Sequence, residues 1–220
     1  MGAAPRSLDV LFIGNSFTSR NQLPQLVAAL VAPSHALRSG TIHAGGASLR
    51  RHWNAGLAQT ALASQHWDRV VLQEQSTLPV KSPQRYHENV RLFAPVIAGQ
   101  GATPLLYLTW SRANAPDAQR ELTQAVETIA REIGAGVVPV GIAWHALRAR
   151  HPEIVLYDAD GSHPTPAGSY LAACVFAASL FGERITACHV AERLRVDPAT
   201  AKRVHDVAWS THERHATGDP

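Results

Sequence analysis

Short apolar runs rich in Val, Leu and Ile alternate along this chain with longer stretches whose apolar residues recur at helical spacing. Five of the runs have the length and composition of β-strands, and they cover residues 8–13, 41–44, 69–73, 104–109 and 137–140. Parallel strands need a helix-length crossover between them, so this alternation predicts a parallel sheet with helices on both faces. The pattern therefore predicts an α/β fold.

The stretches between and after the strands predict helices over 22–31, 49–64, 86–98, 118–133, 166–180 and 199–208. A chain of 220 residues fits one domain, with a core over about 8–208 and a polar, frayed tail over about 211–220. No internal repeat or low-complexity segment divides it.

Polar residues and glycines follow each of the first four predicted strands. They are Ser16, then Gly45 and Gly46, then Gln73 to Ser76, then Thr109 and Trp110. In open α/β sheets, ligands bind outside the carboxyl ends of the strands. The sequence therefore predicts that these positions converge on one functional edge.

The segment Asp160-Gly161-Ser162-His163 adds an acid and an imidazole three residues apart. A serine hydroxyl becomes a useful nucleophile when a base accepts its proton and a carboxylate orients that base. We therefore expect Ser16 to be the nucleophile, His163 the base and Asp160 the orienting acid. Asp158 is a rival acid, but it lies five residues from His163 and is better interpreted as a turn or helix-capping residue.

An acyl-transfer site also needs donors for a developing oxyanion. The backbone N–H of Ser16 and that of Gly46 (or Gly45) suit this role, because glycine has no side chain to block the approach of a ligand. The side-chain amide of Gln75, or alternatively of Gln73, is a third candidate donor.

The four sequence blocks that carry these residues, in chain order, resemble those of the SGNH hydrolases, also called GDSL-like esterases. The blocks are Gly14-Asn15-Ser16-Phe17, Gly45-Gly46-Ala47-Ser48-Leu49, Gln73-Glu74-Gln75-Ser76 and Asp160-Gly161-Ser162-His163-Pro164, within residues 8–182. The resemblance implies a flavodoxin-like three-layer α/β/α sandwich around a mostly parallel five-stranded sheet. It also implies Ser16 as nucleophile, Gly46 as oxyanion donor, and Asp160 with His163 as the other catalytic pair.

Two positions depart from the usual pattern of that family. Asn15 replaces the usual Asp before the serine, and Gln75 stands where the third block has an oxyanion Asn. Gln-containing third blocks are similar to those of the carbohydrate-acetylesterase branches. We further expect Asn15, Gly45, Gln73 and Trp110 to contact substrate, with Trp110 serving as pocket wall or core.

Composition and charge limit the kinds of ligand and partner that the sequence predicts. The net charge is +3 and no run of Lys or Arg suggests nucleic-acid binding. No apolar stretch approaches the roughly 18 residues of a membrane span. The twelve histidines show no zinc-type spacing, so neither a metal nor a cofactor is expected. The first residues lack the apolar core of a signal peptide, which predicts a cytoplasmic protein, although a trimmed secreted chain would look the same.

The leading hypothesis is a serine esterase that hydrolyses short-chain carboxylic esters, including O-acetyl groups on carbohydrates, through an acyl-enzyme on Ser16. One alternative is an acyltransferase that uses the same intermediate. The other is a carbohydrate- or lipid-binding module without turnover. The sequence leaves the acyl-chain length and the oligomeric state open.

Overall fold

A computed structural model describes residues 6–217 and contains one five-stranded sheet. Its strands are β1 (Ser7–Gly14), β2 (Ala36–His43), β3 (Arg69–Leu72), β4 (Thr103–Tyr107) and β5 (Gly136–Val138). The spatial order is β2-β1-β3-β4-β5 and every neighbouring pair is parallel. This order is the flavodoxin-like one, in which the chain changes direction between β1 and β3 and opens a crevice there.

Eleven α-helices lie between and after the strands within the described residues. They are α1 (Ser16–Ser19), α2 (Leu23–Val31), α3 (Leu49–Ala55), α4 (Leu57–Ser64), α5 (Leu78–Lys81), α6 (Pro83–Gly99), α7 (Ala118–Ile133), α8 (Val140–Arg150), α9 (Pro166–Phe181), α10 (His189–Arg193) and α11 (Pro198–Thr217). None of the helices between residues 6 and 217 combines the length and apolar character needed to cross a membrane.

Alternate residues of β1 face two separate apolar cores, which is why the fold has three layers. Val10 and Phe12 pack in one core with residues of α2, α8, α9 and α11. Leu11 and Ile13 pack in the other core with residues of α3, α4, α6 and α7. Because side chains on a strand alternate between faces, a continuous apolar run is required where both faces are covered. The predicted α/β class and the helices on both faces are confirmed.

Several element predictions were wrong in detail, and strand β2, for example, begins at Ala36 rather than at residue 41. The helix over 49–64 is two helices, because Gly56 adopts a left-handed φ of 75° and ends α3. Helix α8 was missed because the strand was extended to Val140, whereas Pro139 ends it and Val140 begins a helix. The tail is helical as far as Thr217, since α11 buries Val207, Ala208 and Thr211, and 218–220 lie outside the described residues.

Candidate active site

Ser16 lies at the first turn after strand β1. Asn15 caps α1, and its side-chain Oδ1 accepts a hydrogen bond from the backbone N–H of Phe17 at 3.1 Å. Gly14 packs so closely that an added Cβ would collide with the side chains of Thr18 and Gln73. A tight, capped turn therefore carries the half-buried Ser16 at the carboxyl end of β1.

The structure brings the three predicted catalytic side chains together across 147 residues of sequence. His163 Nε2 lies 2.8 Å from Ser16 Oγ, and His163 Nδ1 is hydrogen-bonded to Asp160 Oδ2. Asp160 Oδ1 accepts hydrogen bonds from the backbone N–H groups of Ser162 and His163, each at 2.9 Å. The hydrogen bond from the His163 ring and these two backbone donors hold the pKa of Asp160 well below its usual range. Asp160 is therefore ionised at neutral pH.

The loop that carries His163 is fixed by contacts to the rest of the fold. Gly161 adopts a φ of 65°, and its N–H donates to the Asp158 carbonyl at 2.9 Å. The indole N–H of Trp110 donates to the Ser162 carbonyl at 2.9 Å. The Phe17 ring meets the His163 ring edge-on, with centroids 5.6 Å apart. These contacts hold the imidazole beside Ser16.

Asp158 has a different role from Asp160. Its Oδ1 accepts a hydrogen bond from the backbone N–H of Ala159 at 2.9 Å, and its carboxylate pairs with Arg20. Arg20 directly follows α1, so this pair also links the serine-bearing segment to the histidine-bearing loop. The turn role expected for Asp158 agrees with this geometry. Nothing in the sequence indicates the contact between Asp158 and Arg20.

Asn15 joins the ends of three strands. Its Nδ2 donates to the Ala47 carbonyl at 3.0 Å and more weakly to the Glu74 carbonyl at 3.4 Å. Its backbone N–H donates to Gln73 Oε1 at 2.8 Å. Ala47 follows Gly46, and Glu74 precedes Gln75, so the side chain of Asn15 draws both candidate oxyanion segments toward Ser16.

Asn15, Gln73 and Trp110 were predicted to contact substrate, but in this structure their side chains are buried beneath the site. Asn15 is 3% exposed, Gln73 0% and Trp110 2%. Gln73 Oε1 accepts from Asn15 N–H and from the Thr18 hydroxyl, and its Nε2 donates to the Glu74 carbonyl. Trp110 stacks between Phe17 and Trp144, with centroid distances of 4.7 and 3.9 Å. Gly45 is exposed, and its contact with substrate stays a prediction.

Gln75 is the glutamine whose amide donor remains available. Its Oε1 accepts from Thr77 N–H, Thr77 Oγ1 and Leu78 N–H at 2.9–3.0 Å. Two backbone donors fix which end of the amide is oxygen, and Nε2 must therefore point away from the turn. Gly46 has a φ of 62°, and a Cβ added there would meet nothing within 4 Å. Its N–H makes no backbone hydrogen bond within residues 6–217, and neither does that of Ser16.

Two buried titratable groups, Glu74 and His52, support this edge. The Glu74 carboxylate accepts from Leu49 N–H, Gln75 N–H and Asn89 Nδ2 at 3.1, 2.7 and 2.8 Å. Burial raises the pKa of Glu74. His52 donates from Nε2 to the Gly14 carbonyl at 2.6 Å, and burial lowers the pKa of this ring, which favours its neutral form.

Two clefts of about 420 and 460 Å³ meet at Gln75. A larger cavity of about 810 Å³ lies between α7 and α8 and is lined by none of the catalytic candidates. Gln75 lines both smaller clefts, so these clefts, and not the larger cavity, adjoin a candidate oxyanion donor. Over residues 6–217, no group of three or more His, Cys, Asp or Glu side chains is placed to hold a metal ion.

No protein-family model matches the chain, and a search of curated proteins finds no significant match. Among solved structures, a protein from Slackia heliotrinireducens assigned to the SGNH hydrolases is 34% identical, with 78% of this chain and 97% of that chain covered and a TM-score of 0.67. A DUF4886 family protein from Bacteroides uniformis is 21% identical, with 97% and 96% covered and a TM-score of 0.74.

A variant of an acetyl-xylooligosaccharide esterase from Geobacillus is 20% identical, with 82% of this chain and 97% of that chain covered and a TM-score of 0.62. At this level of identity the likeness concerns the fold. The Slackia protein is similar enough, over nearly its whole length, to establish the family. This chain belongs to the SGNH hydrolases, a superfamily of carboxylic ester hydrolases.

Proposed function

We propose that this protein is a serine esterase that hydrolyses short-chain carboxylic esters through an acyl-enzyme on Ser16. The observation that carries the proposal is the hydrogen-bonded series from Ser16 Oγ to His163 Nε2 and from His163 Nδ1 to Asp160. An ionised Asp160 keeps the proton of the ring on Nδ1, which leaves the Nε2 lone pair directed at the serine hydroxyl.

In the first half-reaction, Ser16 Oγ attacks the ester carbonyl as its proton passes to His163 Nε2. The carbonyl oxygen becomes an oxyanion, for which the N–H groups of Ser16 and Gly46 and the Nε2 of Gln75 are the proposed donors. The tetrahedral intermediate collapses when His163 returns the proton to the leaving alcohol. The result is an ester of Ser16 and one molecule of free alcohol.

In the second half-reaction, water attacks the acyl-enzyme while His163 accepts one of its protons. Collapse releases the carboxylic acid and returns the proton to Ser16 Oγ. An alcohol in place of water would give acyl transfer through the same steps. The access of solvent to the half-exposed Asp160 and to His163 favours water as the acceptor.

Acetyl esters, including O-acetyl groups on carbohydrates, are the proposed substrate class. Two solved structures with this fold are described as an acetyl-xylooligosaccharide esterase and an acetyl xylan esterase. Polar residues outnumber apolar ones in the lining of the cleft of about 420 Å³, which suits a hydroxyl-rich alcohol.

Hydrolysis of p-nitrophenyl acetate by wild-type protein and by Ser16→Ala tests the proposal. We expect wild-type turnover and a loss of at least about 10³-fold in kcat for the variant, because the covalent route is removed. Ser19→Ala is the matched control, since Ser19 ends the same short helix, and it should retain activity. Turnover by Ser16→Ala at the wild-type rate, with both variants folded, would exclude Ser16 as the nucleophile.

A further inference from the structure

Four basic side chains line the two clefts that meet at Gln75. Arg50 and Arg85 line the cleft of about 420 Å³, and Lys81 and Arg112 line the cleft of about 460 Å³. Glu88 is the single acidic side chain among the residues that line these clefts. The walls of these two clefts therefore carry an excess of positive charge.

These cations are not neutralised by direct ion pairs. The arginines that pair with carboxylates within residues 6–217 are Arg20, Arg38, Arg91, Arg184 and Arg203. The four cations of the clefts belong to no ion pair in the same part of the chain. Four basic side chains without a paired carboxylate leave a positive potential that an anionic ligand can use.

Arg50 is held in place by neutral and buried partners. Its Nε donates to Asn89 Oδ1 at 3.1 Å, and Asn89 Nδ2 donates to Glu74 Oε2 at 2.8 Å. Asn89 thus stands between Arg50 and the buried carboxylate, whose other oxygen is occupied by the N–H groups of Leu49 and Gln75. The two terminal nitrogens of the Arg50 guanidinium are left for a ligand, in the fork that matches a carboxylate.

We propose that the alcohol part of the substrate carries a carboxylate, as an O-acetylated acidic sugar does, and that this carboxylate binds Arg50 with Arg85 beside it. The inference rests on the proposed esterase function. Ser48 and Gln75 line the same cleft as Arg50. The loops that carry them are the ones drawn toward Ser16 by the side chain of Asn15. Because an acetyl group carries no carboxylate, a carboxylate bound in this cleft belongs to the alcohol part of the substrate.

The test compares two acetyl esters that differ in one group: an O-acetylated methyl glucuronoside and the matching O-acetylated methyl glucoside. Acetate release gives kcat/KM for each with the wild-type protein, Arg50→Gln and the control Arg91→Gln. Arg91 lies on the same helix as Arg85, but it pairs with Glu132 outside the cleft. Arg85→Gln provides a second test if Arg50→Gln does not fold.

We expect the wild-type protein to prefer the acidic ester by about 10-fold in kcat/KM, equivalent to about 1.4 kcal/mol. Arg50→Gln should abolish that preference and Arg91→Gln should keep it. The preference should also fall as salt is raised, because exposed charges are screened. Equal rates on the two esters, or a preference that survives in both Arg50→Gln and Arg85→Gln, would overturn the inference and leave the esterase function standing. If neither ester nor p-nitrophenyl acetate is turned over, that result would instead contradict the proposed esterase function, and this inference would fail with it.

Discussion

Replacing Asp160 by Asn separates the catalytic role of this side chain from its structural role. Asp160 Oδ1 accepts two backbone hydrogen bonds that shape the loop, and the amide oxygen of Asn can keep both. The amide nitrogen then replaces Oδ2 and faces His163 Nδ1. Because that nitrogen is a donor, the ring must carry its proton on Nε2, where no lone pair is left to accept the Ser16 proton.

The expected loss in kcat is about 10³- to 10⁴-fold, which corresponds to about 4–5.5 kcal/mol of transition-state stabilisation. The lower bound reflects the 50% exposure of the Asp160 side chain, which lets water replace part of its electrostatic effect. The assay is p-nitrophenyl acetate turnover at neutral pH, together with the thermal unfolding midpoint, which should change little.

Asp158→Asn is the matched control for this prediction. Asp158 lies two residues away and pairs with Arg20 at the surface, so its loss should reduce kcat by less than about 10-fold. Two results would refute the reasoning: a kcat for Asp160→Asn within 10-fold of wild type, or a larger loss for Asp158→Asn than for Asp160→Asn.

Three further predictions concern the residues that hold the site in place. Asn15→Ala removes the cap of α1 and leaves the buried Ala47 carbonyl without its donor, so urea unfolding should show a loss of about 2–3 kcal/mol and kcat should also fall. Gly161 and Gly182 have φ values of 65° and 68°, so Gly161→Ala and Gly182→Ala should each lower the free energy of unfolding by about 1 kcal/mol. Only Gly161→Ala should also lower kcat, because Gly161 lies in the loop that carries His163. Equal kcat values for the two variants would contradict the role given to this loop. Because burial raises the pKa of Glu74, the folded state binds the proton of this carboxyl group more tightly than the unfolded chain does. The free energy of unfolding of the wild type, relative to that of Glu74→Gln, should therefore rise as the pH falls from 7 toward the ordinary pKa of about 4.5. A constant difference between the two proteins across that range would contradict this prediction.

The layers of the fold could be predicted because each buried strand had to be apolar on both faces. The continuous run through Val10 to Ile13 is required by two cores, and a pattern of that kind is visible in sequence. The break at Gly56 and the start of α8 at Val140 could not be predicted as readily. Both depend on where a backbone turns, and apolar spacing continues smoothly across each position.

The triad candidates could be predicted because their chemistry restricts residue type and spacing. Asp160 and His163 are three residues apart in one turn, and Ser16 directly follows the Asn15 cap at the end of β1. The supporting residues could not be predicted, because their roles arise from burial. Asn15 and Gln73 carry amides that could equally face a ligand, and only their position beneath Ser16 shows that the protein itself satisfies them.

Labelling with a fluorophosphonate probe tests whether His163 activates Ser16 as a nucleophile. The measurement is intact-protein mass followed by peptide mapping for the wild type, Ser16→Ala and His163→Ala. We expect one adduct per wild-type chain, located on Ser16, no adduct on Ser16→Ala, and labelling slowed by at least about 10²-fold in His163→Ala. An adduct on another residue, or equal labelling rates in folded wild type and His163→Ala, would contradict it.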